Sequence, residues 1–201
     1  MKIVDTLVIG SGPSGSITAF ELINAKRNVL LIEAGSHHPL DSCKPYSTLE
    51  MEQKYKYGGL TPAYGNPKLS YVEGSCVGGG SEVNSGFYHR TPNSILESWK
   101  NDYHIKDFST ESLIKHFEVI ENKISVSSIP EPSSVAKASL KLKEGADKLG
   151  WKSMEVPRWF KFNKKNQGIK QSMTNTYVKW YLDKGGELLS DILATKIKFF
   201  K

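Results

Sequence analysis

The chain has 201 residues, enough for one sizeable domain, or one and part of another, with a core that needs no staples. Hydrophobic residues make up 38% and charged residues 24%, a globular balance that excludes an intrinsically disordered chain. The net charge of +6 raises the question of anionic partners, but no nucleic-acid fold motif accompanies the basic stretch at residues 158–170 (RWFKFNKKNQGIK), which reads as a solvated loop rather than a nucleic-acid contact. Two cysteines, Cys43 and Cys76, stand in neither CxxC nor Cys/His spacing, so no metal site is expected and a reducing, cytoplasmic setting is the simplest inference. The opening MKIVDTLVIG is too short an apolar run for a signal segment, and no stretch approaches the ~20 apolar residues of a membrane span.

In chain order, IVDTLVI at residues 3–9 is short, rich in β-branched residues and ended by Gly10, which predicts a buried strand. GSGPSG follows, with Gly10, Gly12 and Gly15 in GxGxxG spacing. SITAFELI at residues 16–23 then carries its apolar positions on one helical face, so a helix beginning near Pro13 is predicted. VLLI at residues 29–32 predicts a second strand, ended by Glu33. In such a unit Gly10 permits the tight turn, Gly12 lets a pyrophosphate approach the backbone, and Gly15 lets the helix pack closely on the strand. Pro13 and Ser14 open the helix, whose free amides and positive dipole end attract phosphates. Glu33 lies 18 residues after Gly15, where a carboxylate accepts hydrogen bonds from ribose hydroxyls and disfavours a 2′-phosphate. These residues predict a dinucleotide site and leave NAD and FAD both open.

Residues 36–70 lose periodicity through His37-His38-Pro39, Pro45 and Gly58-Gly59, which predicts a long excursion of loop, with both histidines exposed. Next, residues 73–92 read EGSCVGGGSEVNSGFYHRTP, with three consecutive glycines. Adjacent residues without Cβ are kept where the main chain is approached closely or φ is positive, so a ligand is expected against this stretch. Asn93 is predicted to cap a helix through residue 99, and Thr110 to cap another carrying Leu113, Ile114, Phe117 and Ile120. A third helix is predicted over residues 133–149, a strand over 151–156, loop over 157–168, a helix over 172–183, and strand again at 188–189 and 192–200. The halt inside a sheet element at Phe199-Phe200-Lys201 gives the expectation of an α/β fold truncated on its C-terminal side. Three segments are expected: 1–105 with the βαβ core and glycine-rich loop, 106–170 as a helical insertion, and 171–201 as a return to the first domain.

Taken together, GSGPSG with Glu33-Ala34-Gly35, GSCVGGGSEVNSG at residues 74–86 with Pro92, and GIKQSM at residues 168–173 with Thr176-Tyr177 resemble the glucose-methanol-choline (GMC) flavoprotein oxidoreductases. The likeness covers essentially the whole chain and is nearest to the long-chain alcohol oxidase and cholesterol oxidase-like branches. It implies a Rossmann-like α/β FAD-binding fold with a parallel sheet and inserted helical and loop segments. It also implies FAD as the dinucleotide, since an NAD-only enzyme would not need the second loop. On this resemblance Gly78, Gly79 and Gly80 run beside the pyrophosphate and flavin, and Ser81 and Asn84 offer hydrogen bonds near the isoalloxazine, with Ser85 next in the segment. Ala34 flanks the ribose carboxylate, and Ala194 supplies a main-chain contact to the adenine. Some members tether the flavin through a His immediately before the Asn; Val83 stands there, so the FAD is expected to be held non-covalently. The family's catalytic His pair belongs far toward the C-terminus, whereas His37, His38, His89, His104 and His116 all precede KQSM, so no catalytic residue is assigned. The implied reaction removes a proton and a hydride from a small-molecule alcohol to give an aldehyde or ketone. A partner chain or continued polypeptide would supply the remaining half. The alternative is a truncated or split nucleotide-binding module without activity of its own.

Overall fold

The computed structural model describes residues 2–105, 109–128, 136–165 and 167–199. Along the chain the elements are β1 (Thr6–Ile9), α1 (Pro13–Asn24), β2 (Val29–Ile32), α2 (Thr48–Lys54), a 3-10 turn (Lys56–Gly59), β3 (Thr61–Ala63), β4 (Leu69–Tyr71) and α3 (Gly80–Val83). They continue as α4 (Asn93–Asp102), α5 (Thr110–Lys123), β5 (Val126–Ser127), α6 (Lys137–Lys148), β6 (Arg158–Phe162), β7 (Gly168–Lys170), α7 (Tyr177–Asp183) and β8 (Glu187–Leu189). Two compact units result, one of Met1–Ser85 with Ser172–Lys201 and one of Gly86–Gln171. The sequence places its breaks at 105/106 and 170/171, whereas the units part at 85/86 and 171/172, so that α4 belongs with the second unit.

In the first unit, β1, β2 and β8 form a parallel sheet in the order β1-β2-β8, with Thr6 opposite Val29 and Leu30 opposite Glu187. Every residue of the central VLLI is buried, as an unbroken apolar run requires when both faces of a strand are covered. Pro13 starts α1, where its fixed φ and missing N–H suit the first helical position, and the helix buries Ser16, Ala19 and Phe20. The Phe20 ring meets Tyr177 of α7 edge-on at 5.4 Å between centroids. One turn further along α7, the buried Tyr181 hydroxyl lies 2.8 Å from the Val29 carbonyl and 2.9 Å from the Glu187 carbonyl, and it accepts the Glu187 N–H at 3.0 Å. A single phenol therefore ties β2 to β8.

The excursion over residues 36–70 is more ordered than its sequence suggests. Ser47 caps α2 by accepting the Glu50 N–H at 3.1 Å, and β3 and β4 form an antiparallel hairpin. The predicted helix at 172–183 begins only at Tyr177, because the Met173 and Thr174 amides donate to side chains of the glycine-rich segment instead. No strand forms over residues 192–199; beyond β8 the chain is tied to the end of β2 by the Asp191 and Ile192 amides, which donate to the Gly35 and Glu33 carbonyls, and by the Ser36 hydroxyl, which donates to Asp191 Oδ1.

In the second unit α4 starts at Asn93 with Pro92 in the capping position, so Asn93 is not the cap; its Oδ1 accepts the Thr110 hydroxyl at 2.8 Å. The cap of α5 is Ser109 rather than Thr110, through a reciprocal pair of bonds with Ser112. Of the helix predicted over 133–149, residues 137–148 form α6, while 133–135 lie outside the described residues. The strand predicted over 151–156 is displaced: β6 begins at Arg158 and pairs antiparallel with β5 and β7. The basic stretch is thus a hairpin rather than a loop. Its turn is held by Asn163 Oδ1, which accepts the Lys165 and Gln167 amides at 2.8 and 3.0 Å, and Trp159 anchors it by burial.

Candidate functional site

The GxGxxG turn joins β1 to α1 in the first unit. Gly10 has φ +92° at the strand's end, and a Cβ on Gly15 would run into the Gly10 carbonyl oxygen, so the close crossing of helix and strand depends on that glycine. Gly12 caps α1 through its carbonyl, which accepts the Ser16 amide and hydroxyl, both at 2.9 Å. Pro13 and Ser14 are exposed beyond it. As second and third helical residues, Ser14 and Gly15 present amides that the helix itself does not use. A side chain built on Gly12 would touch nothing within 4 Å, so its main chain faces open space.

The glycine-rich segment lies directly against this turn. Gly78 and Gly79 both take left-handed φ values, +91° and +56°, and a Cβ on Gly79 would stand 3.0 Å from the Gly12 Cα. The Gly78 amide donates to Ser11 Oγ at 3.1 Å. Ser11 in turn gives its hydroxyl and its amide to Glu33 Oε2, each at 2.8 Å, and Glu33 Oε1 accepts the Gly35 amide at 2.9 Å. One carboxylate at the end of β2 therefore fastens the first loop to the second strand, and Ser11 fastens both to Gly78. Gly80, the first residue of α3, faces open space like Gly12. It borders a cavity of about 510 Å³ together with Val72, Glu73, Gly74, Val83 and Asn84. A second cavity of about 440 Å³ opens beyond β2, with Ala34, Gly35, Ser36, Tyr55, Lys56 and Ser75 among its lining.

The sequence-predicted residues divide accordingly. Gly10, Gly12, Pro13, Ser14, Gly15, Glu33, Gly78, Gly79 and Gly80 converge at the carboxyl ends of β1 and β2, with exposed Ala34 beside Glu33 and exposed Asn84 and Ser85 past α3. Ser81 departs from its expected role. It is fully buried, donates to the Gly78 carbonyl at 2.7 Å and accepts the Met173 amide at 2.9 Å, so its hydroxyl points inward. Ala194 is exposed, two residues past the last bond that holds the final segment to Glu33. The reading of Gly79 also changes, because its bare backbone serves contact with Gly12 as well as any ligand. Sequence reasoning missed Ser11, although a small polar residue between two glycines at a strand's end is a visible signal. It also missed Gly35, where a Cβ would strike Ser75 and Cys76. Among the described residues no group of three or more His, Cys, Asp or Glu is placed to hold a metal ion, and no helix is long and apolar enough to cross a membrane.

Comparison with known proteins converges on one family. The profile described as GMC oxidoreductase matches residues 4–200. An uncharacterized GMC-type oxidoreductase, y4nJ, of Sinorhizobium fredii is 33% identical over 205 residues, covering 98% of this chain and 40% of that protein. The Arabidopsis thaliana long-chain-alcohol oxidase FAO3 is 30% identical over 154 residues, covering 77% of this chain and 20% of its own length. Among solved structures, pyridoxine 4-oxidase from "Mesorbium loti" superposes with a TM-score of 0.67 at 15% identity, over 94% of this chain and 42% of that one. A fungal aryl-alcohol oxidase gives 0.62 at 17% identity, over 94% and 38%. The chain thus spans no more than about two fifths of the length of the curated relatives it matches.

Proposed function

The chain belongs to the GMC oxidoreductase family, as its FAD-binding N-terminal part, and from that premise we propose that it serves an oxidoreductase acting on the CH–OH group of a small-molecule alcohol. The observation that carries the proposal is the packing of the Gly79 main chain on Gly12, with Ser11 linking Gly78 to Glu33. Two bare backbone stretches, some 67 residues apart, meet there, and a Cβ on Gly12 or on Gly80 would still meet empty space. A flat, phosphate-bridged dinucleotide fits that cradle.

In this reading Gly12 and the amides of Ser14 and Gly15 receive the pyrophosphate, assisted by the positive end of α1. The Glu33 oxygens, oriented by Ser11 and Gly35, accept the ribose hydroxyls beside Ala34, and Ala194 lies toward the adenine. Gly80, Asn84 and Ser85 border the flavin, which is held non-covalently because Val83 offers no nucleophile. FAD, when bound, supplies the two-electron acceptor for the alcohol carbon's hydride. This chain's own residues bind and orient it. The long-chain-alcohol oxidase and aryl-alcohol oxidase likenesses support an alcohol as donor.

A second reading is favoured by β1, one of the two outer strands of the sheet, whose Leu7 and Ile9 are about half exposed. It makes the chain a nucleotide-binding module whose sheet a partner chain completes. Anaerobic addition of fatty and aryl primary alcohols to the FAD-loaded chain separates the two. Bleaching of the visible flavin band by the chain alone supports a self-sufficient enzyme. A yellow complex that alcohols do not bleach supports the module. Absence of any FAD complex contradicts the proposal.

A further inference from the structure

Glu82 is a carboxylate that the nucleotide reading does not use. It is only 8% exposed, and its Oε1 accepts both the Thr174 amide, at 3.2 Å, and the Thr174 hydroxyl, at 2.7 Å. Beside it, Ser81 Oγ takes the Met173 amide. Two consecutive residues of the glycine-rich segment thus grip two consecutive amides of the turn that leads into α7, 92 residues away. The same Glu82 oxygen lies against Gly78, where a Cβ would collide with Oε1. A buried carboxylate is tolerated only when its lone pairs are satisfied and its charge is balanced. Lys54, paired with Glu50 Oε1 at 3.5 Å, stands in the same field: burial disfavours its ammonium, yet Cys43, Glu50 and Glu82 together hold its pKa above the ordinary lysine value. The glycine segment is therefore held from both sides, by Ser11 and Glu33 on one and by Glu82 and Thr174 on the other.

We propose that Glu82 is a positioning residue of the flavin site, fixing Gly78 to Gly80 at the distance from Gly12 that the dinucleotide requires by clamping the Thr174 turn. This rests on the reading that Gly12 and Gly80 border the nucleotide. Gly78 and Gly79 occupy left-handed conformations, and a three-glycine stretch has many others available in solution. Glu82, four residues past Gly78, adds to the bonds of Ser11 and Ser81 with Gly78 in removing that freedom.

The test is a double-mutant cycle on the full chain, with E82A, T174V and their combination, plus E82Q as the conservative variant. FAD affinity is read by titration, and folding by circular dichroism and thermal melting. E82A is expected to weaken FAD binding by about tenfold or more, the scale of a lost bond to a charged group, with E82Q recovering most of it. The combined variant is expected to be no weaker than E82A alone, because both substitutions break one clamp. Equal affinity of E82A and wild type, or full additivity in the cycle, overturns the proposal. So does E82A lowering the melting temperature without moving the affinity. If E82A does not fold, T174V carries the comparison, with E82Q as the near-wild-type reference. Amide exchange without FAD gives an independent reading: the Gly79 amide, bonded to the Cys76 carbonyl, is expected to exchange faster in E82A or T174V and near the wild-type rate in E82Q, and unchanged exchange in E82A and T174V contradicts the clamp. Should wild type bind no FAD, the functional proposal fails while the exchange result still decides on Glu82.

Discussion

Glycine 80 separates the ligand's demand for bare backbone from the protein's own. A side chain at Gly79 meets Gly12 and a left-handed φ, so Gly79→Val is expected to lose flavin but also to strain the fold. Gly80 has neither obstacle. Gly80→Val is therefore expected to keep the wild-type melting temperature within about 1 °C per few tenths of a kcal/mol of helix propensity, while weakening FAD by at least about tenfold. Wild-type affinity in that variant contradicts the proposed flavin border. At Glu33 three donors converge, so Glu33→Gln is expected to cost about 1–3 kcal/mol in urea unfolding and to weaken FAD as well. The cysteines differ in the same local way. Burial, with Glu82 nearby, pushes the Cys76 thiol up to about 12, whereas Cys43 is only half buried. Because the folded value lies above the unfolded one, the stability tied to the protonated thiol is intact below about pH 8.5 and is lost as pH rises toward about 12. A thiol reagent at neutral pH should label Cys43 quickly and Cys76 only at the rate of unfolding; two equally fast thiols contradict this.

Elements were legible where one physical signal dominated. TLVI, GSGPSG and VLLI form β1, the turn and β2 because the glycine spacing, the continuous apolar run and Pro13 at the helix start all agree. The Ser47–Glu50 capping pair was present in the sequence but drowned among Pro and Gly, and α2 went unread as a result. The second unit's strands were misplaced for another reason. RWFKF looks basic before it looks amphipathic, yet Trp159 buries and the charges point out. The start of the 172–176 segment could not be read from local pattern, since the Met173 and Thr174 amides answer to Ser81 and Glu82, 92 residues away. Tyr181 carries a similar long-range duty. Tyr181→Phe keeps the packing but removes the hydroxyl that accepts the Glu187 amide and donates to the Val29 or the Glu187 carbonyl, so a loss of about 1–2 kcal/mol is expected, with faster amide exchange at Glu187 than at Leu7. Equal stability and exchange would remove Tyr181 from that role.

On the scale of the whole molecule, the sheet and the two glycine loops belong to one unit, and the dinucleotide reading draws on that unit alone. The legible part of the site is the backbone, because glycine spacing encodes where main chain is bare. The less legible part is the side-chain frame of Ser11, Glu33, Gly35 and Glu82, which depends on contacts between segments distant in sequence. The central claim, that Gly12 and Gly80 border one flavin nucleotide, is most directly tested by titrating the purified chain with FAD and, separately, with NADH, following the visible flavin spectrum and fluorescence. One FAD per chain, bound in preference to NADH and weakened by Gly80→Val without loss of fold, is the predicted result. NADH binding without FAD binding, or FAD binding indifferent to Gly80→Val, would contradict it.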